Sequence, residues 1–152
     1  MTITRFAKEA EIHSITVPKL EYAFFDSKMS SKSQLFYSYT PVADKITLLQ
    51  KARDIIVIFP MEFSAISKQK HTDDSEKEDL FFKLKVEYKV VFRCESRVKV
   101  PDKVKREIVD QLVPRVVHPY FRMTVSDSLQ KAGLPPLHIP LTESHENNGI
   151  EL

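Results

Sequence analysis

The segment from Val100 to Leu141 reads VPDKVKREIVDQLVPRVVHPYFRMTVSDSLQKAGLPPLHIPL, and its residue order decides the fold. Pro101 and Asp102 are typical of a helix start, because proline fits the first turn of a helix. Apolar residues then recur at helical spacing, at Val104, Ile108, Leu112, Tyr120, Met123, Val125, Leu129 and Ala132. The pattern predicts one long helix that ends at Gly133, a residue that tolerates the left-handed conformation of a helix C′ position.

Two prolines interrupt this helix. Pro114 and Pro119 each remove a backbone donor and restrict the residue before them, so we expect a break or a kink there. The segment from Leu134 to Pro140 follows Gly133 and is apolar and rich in proline. It can be neither a helix nor a central strand.

This ordered set of residues resembles the bacterial SecB export-chaperone family. That family has two prolines at this spacing, a Pro-Tyr-x-Arg entry into its long helix, and an exit of glycine, an apolar residue and Pro-x-Leu. The matching positions here are Pro114, Pro119, Tyr120, Arg122, Gly133, Pro136 and Leu137. About thirty residues carry the resemblance, and the strands upstream agree in number and order.

The resemblance implies a homo-oligomer, a dimer or a tetramer, that holds unfolded polypeptides in apolar grooves without ATP or another cofactor. The residues expected to bind these clients are Phe24, Phe25, Phe36, Tyr37, Tyr39, Leu134, Leu137 and Ile139. The residues expected in subunit contacts are Val104, Ile108, Leu112, Tyr120 and Met123.

The chain departs from the family after Pro140. Where the family continues with a second helix, this sequence has Thr142-Glu143-Ser144-His145. Docking to the SecA export motor therefore stays open, and a toxin–antitoxin-associated SecB-like chaperone is a second subtype. Two readings from other classes also remain: a carrier that encloses a small apolar ligand, and a non-catalytic assembly module.

The strands upstream predict an α+β fold, with a four-stranded antiparallel sheet followed by the proline-broken helix. The two clearest strands, 55–66 and 80–94, alternate apolar and polar residues and are joined by a charged loop. Residues 12–26 predict a strand with a bulge near Pro18, and 35–39 a short aromatic strand. Residues 41–53 fit either a helix or an ordered connection. We expect one domain over 1–141, and a polar, disordered tail over 142–152.

The composition excludes several classes of function. The chain has 152 residues, a formal net charge of +2, two glycines and one cysteine. These values favour neither nucleic-acid binding nor a glycine-rich phosphate loop, and one cysteine favours a reducing compartment. No apolar run approaches the roughly 20 residues that span a bilayer. We therefore expect a cytoplasmic protein that does not insert into membranes.

Enzymatic and metal-binding patterns are weak. The five histidines are scattered, and Cys94 lies on the apolar side of its strand, where burial makes a thiol inert. The acidic residues of 73–79 lack the spacing of a calcium loop. Lysines alternate along the polar side of 83–93, which indicates a solvated face or, alternatively, a surface for an acidic partner. We expect no enzyme activity, no metal and no cofactor.

Overall fold

The structure is a computed structural model. It describes residues 1–25, 34–70, 76–134, 139 and 149–151, and for 34, 35, 69, 70, 76–79 and 149–151 only the backbone. The predicted charged loop around His71 and Asp73, and the prolines after Leu134, lie outside the described residues.

One antiparallel sheet forms the base of the molecule. Its strands are β1 (Ala10–Phe24), β2 (Gln34–Pro41), β3 (Thr47–Lys51), β4 (Asp54–Lys70), β5 (Glu76–Cys94) and β6 (Gly149–Glu151). The spatial order is β1-β5-β4-β2-β6, with β3 also paired to β4. The α+β class is confirmed, whereas the described part of the sheet has six strands and not four.

The hairpin of β4 and β5 is the centre of this sheet. In both strands alternate residues are buried, among them Ile55, Val57, Phe59 and Phe63 of β4 and Phe82, Leu84, Tyr88 and Val90 of β5. Directly paired residues point to the same side, so the register from Asp54↔Arg93 to Lys70↔Glu76 gives the sheet one apolar face. The prediction of two long half-buried strands is confirmed.

Strand β1 pairs with β5 and contains the predicted bulge. The register shifts between Thr16 and Lys19, around Pro18, and again between Ile12 and Ser14. A proline cannot donate a ladder hydrogen bond, and this edge strand accommodates it without losing its pairing.

The segment 41–53, which we predicted as a helix or an ordered connection, contains a strand. After a short 3₁₀ turn (Ala43–Lys45), β3 pairs with β4 from Thr47↔Ile58 to Lys51↔Asp54. The helical spacing of Val42, Ile46 and Leu49 was misleading, because tertiary pairing with β4 outweighs a weak local pattern.

The helices are α1 (Ile3–Glu9), α2 (Asp102–Glu107) and α3 (Val113–Lys131). A π-helical turn (Ile108–Leu112) joins α2 to α3 and places Pro114 in the first turn of α3. The irregular turn thus precedes Pro114, which lies in the first turn of α3, where a missing backbone N–H costs nothing. Pro119 lies inside α3 and does not end the helix.

Helix α3 ends as predicted at Gly133, whose φ is +68°. The Leu134 N–H donates to the Leu129 carbonyl and the Gly133 N–H to the Gln130 carbonyl, both at 3.0 Å. These two bonds form a Schellman motif, in which the C′ residue must adopt a left-handed conformation.

The core lies between the apolar face of the sheet and one side of the helices. Val104, Ile108, Val117, Phe121 and Leu129 are buried there. Of the predicted tail, Gly149–Glu151 are described and form β6, which pairs with β2 from Phe36↔Glu151 to Ser38↔Gly149.

Candidate functional site: an apolar groove beside strand β1

Helix α3 crosses the central strands and leaves β1 partly uncovered. It contacts both β4 and β5. The Tyr88 hydroxyl of β5 lies 2.8 Å from the hydroxyl of Thr124 in α3, which fixes the helix above the middle of the sheet. The edge strand β1 lies outside this cover.

An apolar row of β1 is therefore half exposed on the core side of the sheet. Ile12, Leu20, Tyr22 and Phe24 pair in register with buried residues of β5, namely Phe92, Val86, Leu84 and Phe82. Cross-strand partners point to the same face, so this row continues the core surface to the edge. Tyr22 and Phe24 are large aromatic side chains, and each is 50% exposed. Their exposed apolar area is larger than a strand at the protein surface requires.

The helices form the second wall of this groove. A cleft of about 320 Å³ opens beside Phe6, Ile12 and Phe92 on one side and Leu112 and Val116 on the other. At the opposite end of α3, the Lys131 ammonium lies within electrostatic range of the Tyr22 hydroxyl. We call the row Ile12, Leu20, Tyr22 and Phe24, together with Leu112 and Val116, the β1 groove.

A chain of aromatic contacts anchors the groove to the core. The rings of Phe24 and Phe82 are 5.2 Å apart, those of Phe82 and Phe63 are 6.1 Å apart, and Phe63 stacks on Tyr37 at 5.4 Å. Such contacts stiffen the groove floor, because each ring limits the rotamers of the next. A rigid apolar floor suits many weak contacts with a flexible chain.

Sequence reasoning named only part of this groove. Phe24 and Phe25 are exposed at one end, at 50% and 45%. Ile12, Leu20, Tyr22 and Val116 were not among the predicted client-binding residues, because their exposure depends on the β1 register and on the position of α3. The phase switch of the β1 pattern near Pro18 was the one available signal, since it returns Leu20 to the face of Ile12.

The aromatic residues of β2 do not join the β1 groove. Two strands, β5 and β4, separate β2 from β1. Tyr37 is fully buried, so its predicted role in direct client contact is corrected to a core role. Tyr39 packs on Phe121 with 5.5 Å between the ring centres, and Phe36 lies on the other face, 4.7 Å below the Lys68 ammonium.

Two described residues that follow α3, Leu134 and Ile139, pack against the core. Leu134 is half-buried, and Ile139 is buried while its carbonyl accepts a hydrogen bond from Arg122 Nε at 2.8 Å. Ile139 is thus a packing residue and not a free client contact, which corrects its predicted role. Leu137 lies outside the described residues.

The residues predicted for subunit contacts divide between the two sides of the helices. Val104 and Ile108 are buried in the core of this chain, so their predicted place at a subunit surface is corrected. Leu112 and Val116 are half-buried, Tyr120 is 42% exposed and Met123 is 64% exposed. Tyr120 and Met123 form the outer stripe of the helices, whereas Leu112 and Val116 line the β1 groove.

The far face of the sheet is balanced in charge. Lys85 lies in register between Glu21 and Glu62, and Arg93 donates to both carboxylate oxygens of Asp54 at 2.9 and 3.1 Å. The Arg93 guanidinium lowers the pKa of the Asp54 carboxyl below its ordinary value, chiefly through this hydrogen bond. Carboxylates thus offset the lysines of β5, and this face does not favour a polyanionic partner.

Catalytic geometry is not found among the described residues. No group of three or more His, Cys, Asp or Glu side chains converges there on a possible metal site. Cys94 is buried beside β1, and burial raises the pKa of its thiol. No helix within the described ranges is long and apolar enough to cross a membrane.

Comparison with known proteins gives three findings. The family described as "Preprotein translocase subunit SecB" matches residues 56–143. The SecB protein-export protein of Methylibium petroleiphilum is 34% identical over 62 residues, which are 36% of this chain and 38% of that protein. The SecB-like chaperone of Mycobacterium tuberculosis, solved with a peptide from the HigA1 antitoxin, superposes with a TM-score of 0.71 at 14% identity, over 93% of this chain and 96% of that one.

Proposed function

The chain belongs to the SecB family, and we propose that it is an ATP-independent holdase that binds unfolded polypeptides along the β1 groove. The half exposure of Tyr22 and Phe24 on the core side of the sheet carries this proposal. A folded domain stabilises itself by covering such rings, and here they stay half exposed at one end of the β1 row, whose other end borders Leu112 and Val116.

The geometry suits extended apolar chain better than a small ligand. The groove follows the length of β1, from the cleft at Ile12 to the aromatic rings at Phe24, and is open to solvent along its side. Burial of apolar area contributes roughly 25 cal/mol per Å², so a long segment gains affinity from its total area and needs no particular sequence. The clients are export precursors or, as for the Mycobacterium tuberculosis neighbour, an antitoxin segment.

Suppression of aggregation tests this function. A double variant, Tyr22→Ser with Phe24→Ser, should lose most of the suppression that the wild-type chain gives to an unfolded client. Leu49→Ser is the matched control, because Leu49 is 61% exposed on β3, away from the groove, and its variant should suppress as wild type does.

The outcomes distinguish whether the protein is a holdase from whether its clients bind in the β1 groove. Wild-type protein that fails to suppress aggregation would remove the holdase function. Suppression that persists in a double variant with wild-type circular dichroism would keep the function and move it away from the β1 groove.

We also propose that two or more copies assemble through the outer stripe of the helices. Met123 is 64% exposed, the highest value among the large apolar residues that the structure describes, and Tyr120, one turn before it on α3, is 42% exposed. A surface of this kind is stabilised by a symmetric copy of itself, since a two-fold interface places the same patch on both partners.

A further inference from the structure

The far edge of the sheet carries a short strand from the chain's own C-terminal segment. Strand β6 runs antiparallel to β2, with Ser38↔Gly149, Tyr37↔Ile150 and Phe36↔Glu151 as its three partners. The β2 edge therefore has the geometry to accept an extended polypeptide from outside the β1–β5 sheet.

The described part of this strand covers part of its edge. Strand β2 has eight residues, all of them paired to β4, and the described residues of β6 pair with three of them. Fixing a backbone residue costs about as much free energy as one ladder hydrogen bond returns. Three pairs without a longer ladder are consequently weak, and β6 can be exchanged for another strand.

The sequence of β6 is also a poor match for its neighbours. It reads Gly149-Ile150-Glu151, with one apolar residue, and Glu151 occupies the register position opposite the aromatic Phe36. Cross-strand pairs of aromatic and β-branched residues stabilise a sheet, and glycine weakens a strand. An apolar segment with β-branched residues at these positions would pair better, and a longer one would also reach Tyr39 and Thr40.

We infer that the β2 edge is a second client site, which takes an extended apolar segment as an added strand, and that β6 competes for it. The inference rests on the proposed holdase function and deepens it, because it names the mode of binding at this edge. Clients that bind both the β1 groove and the β2 edge are held at opposite edges of the sheet. Release of one segment then leaves the other bound.

A reversible cross-link tests the competition. Ser38→Cys with Gly149→Cys places two thiols at directly opposed positions, where Cα atoms of antiparallel strands are about 4.5–5.5 Å apart and a disulfide fits. The probe is fluorescently labelled, reduced and carboxymethylated α-lactalbumin, and its Kd is measured by anisotropy. We expect the oxidised form to bind about tenfold more weakly than the same protein after reduction. The variants Ser38→Cys and Gly149→Cys, each alone beside the native Cys94 and treated with the same oxidant, serve as controls.

A second variant acts in the opposite direction. Ile150→Pro removes the backbone donor opposite Tyr37 and should release β6, so the same probe should bind several-fold more tightly; Ile150→Val, which favours a strand, should not. A Kd that changes by less than about twofold in both the locked and the proline variant would overturn the inference and leave the holdase function intact. Failure of the two cysteines to cross-link would contradict the pairing itself, and a wild-type chain that does not bind the probe would remove both proposals.

Discussion

The Tyr88 hydroxyl and the Thr124 hydroxyl lie 2.8 Å apart and join β5 to α3 inside the core. Thr124 Oγ1 also donates to the Tyr120 carbonyl at 2.9 Å, so Tyr88 is the donor of the first bond. Tyr37 is equally buried, yet its hydroxyl has no hydrogen-bond partner among the residues that the structure describes. Two buried tyrosines on the same face of the sheet thus differ in whether their hydroxyl group is hydrogen-bonded.

Removal of these two hydroxyls should change stability in opposite directions. Tyr88→Phe loses the bond to Thr124 and should lower the free energy of unfolding by about 1 kcal/mol. Tyr37→Phe removes a buried, unpaired hydroxyl and should raise it by about 1 kcal/mol. Urea unfolding measures both, each variant being the control for the other. A Tyr37→Phe variant as unstable as Tyr88→Phe would show that the Tyr37 hydroxyl has a partner.

The β3–β4 hairpin turn contains a strained residue. Ala52 has a φ of +54°, in the two-residue connection between the paired Lys51 and Asp54. Left-handed backbone costs a non-glycine residue roughly 1–2 kcal/mol, so Ala52→Gly should raise the free energy of unfolding by about 1 kcal/mol. Ala7→Gly, at an exposed position of α1, should lower it by a similar amount. Equal destabilisation by both glycines in urea unfolding would contradict the strain at Ala52.

The ion pair of Asp54 and Arg93 should contribute to stability in a pH-dependent way. Arg93 lowers the Asp54 pKa below its ordinary 3.8, so the folded state binds this proton less readily than the unfolded state. The contribution is then fully present above about pH 4 and is lost as the pH falls through the lowered pKa. Asp54→Asn should reduce the melting temperature at neutral pH, and the difference from wild type should shrink below about pH 4.

A matched variant controls for the general effect of removing a carboxylate. Asp102→Asn removes a carboxylate that is 94% exposed and whose Oδ1 lies 4.0 Å from Lys105 Nζ, a weak contact in water. It should therefore change the melting temperature little at any pH. If Asp54→Asn and Asp102→Asn had the same pH profile, the contribution of the Asp54–Arg93 pair would be refuted.

The central part of the fold could be predicted because its patterns are long. Strands β4 and β5 alternate over many residues, and Gly133 marks a helix end that only a left-handed residue can make. Strand β3 was missed because its turn, Ala52-Arg53, lacks the glycine or asparagine that usually marks a hairpin. Strand β6 was missed because three residues after a polar run carry no period at all.

The candidate site depends on facts that a linear pattern does not contain. Phe24 and Tyr37 both look like surplus aromatics, but one lies half exposed on the edge strand and the other is buried and stacked on Phe63 of β4. The order of the strands and the path of the helix decide which of them is exposed. The predicted client-binding set combined Phe24 of β1 with Phe36 of β2, whereas the long β4–β5 hairpin lies between these two strands.

The outer stripe of the helices leads to the last prediction, on assembly. Met123 is 64% exposed and Tyr120 is 42% exposed, and a second copy packed on them would remove both side chains from water. Met123→Glu places a charge in that contact, where burial without a partner costs several kcal/mol. Light scattering at micromolar concentration should therefore show an oligomer for wild type and a smaller species for Met123→Glu. Leu49→Glu, which adds the same charge at a 61% exposed position on β3 and away from the helices, should keep the wild-type mass. A wild-type monomer, or a Met123→Glu protein of unchanged mass, would refute assembly through this stripe.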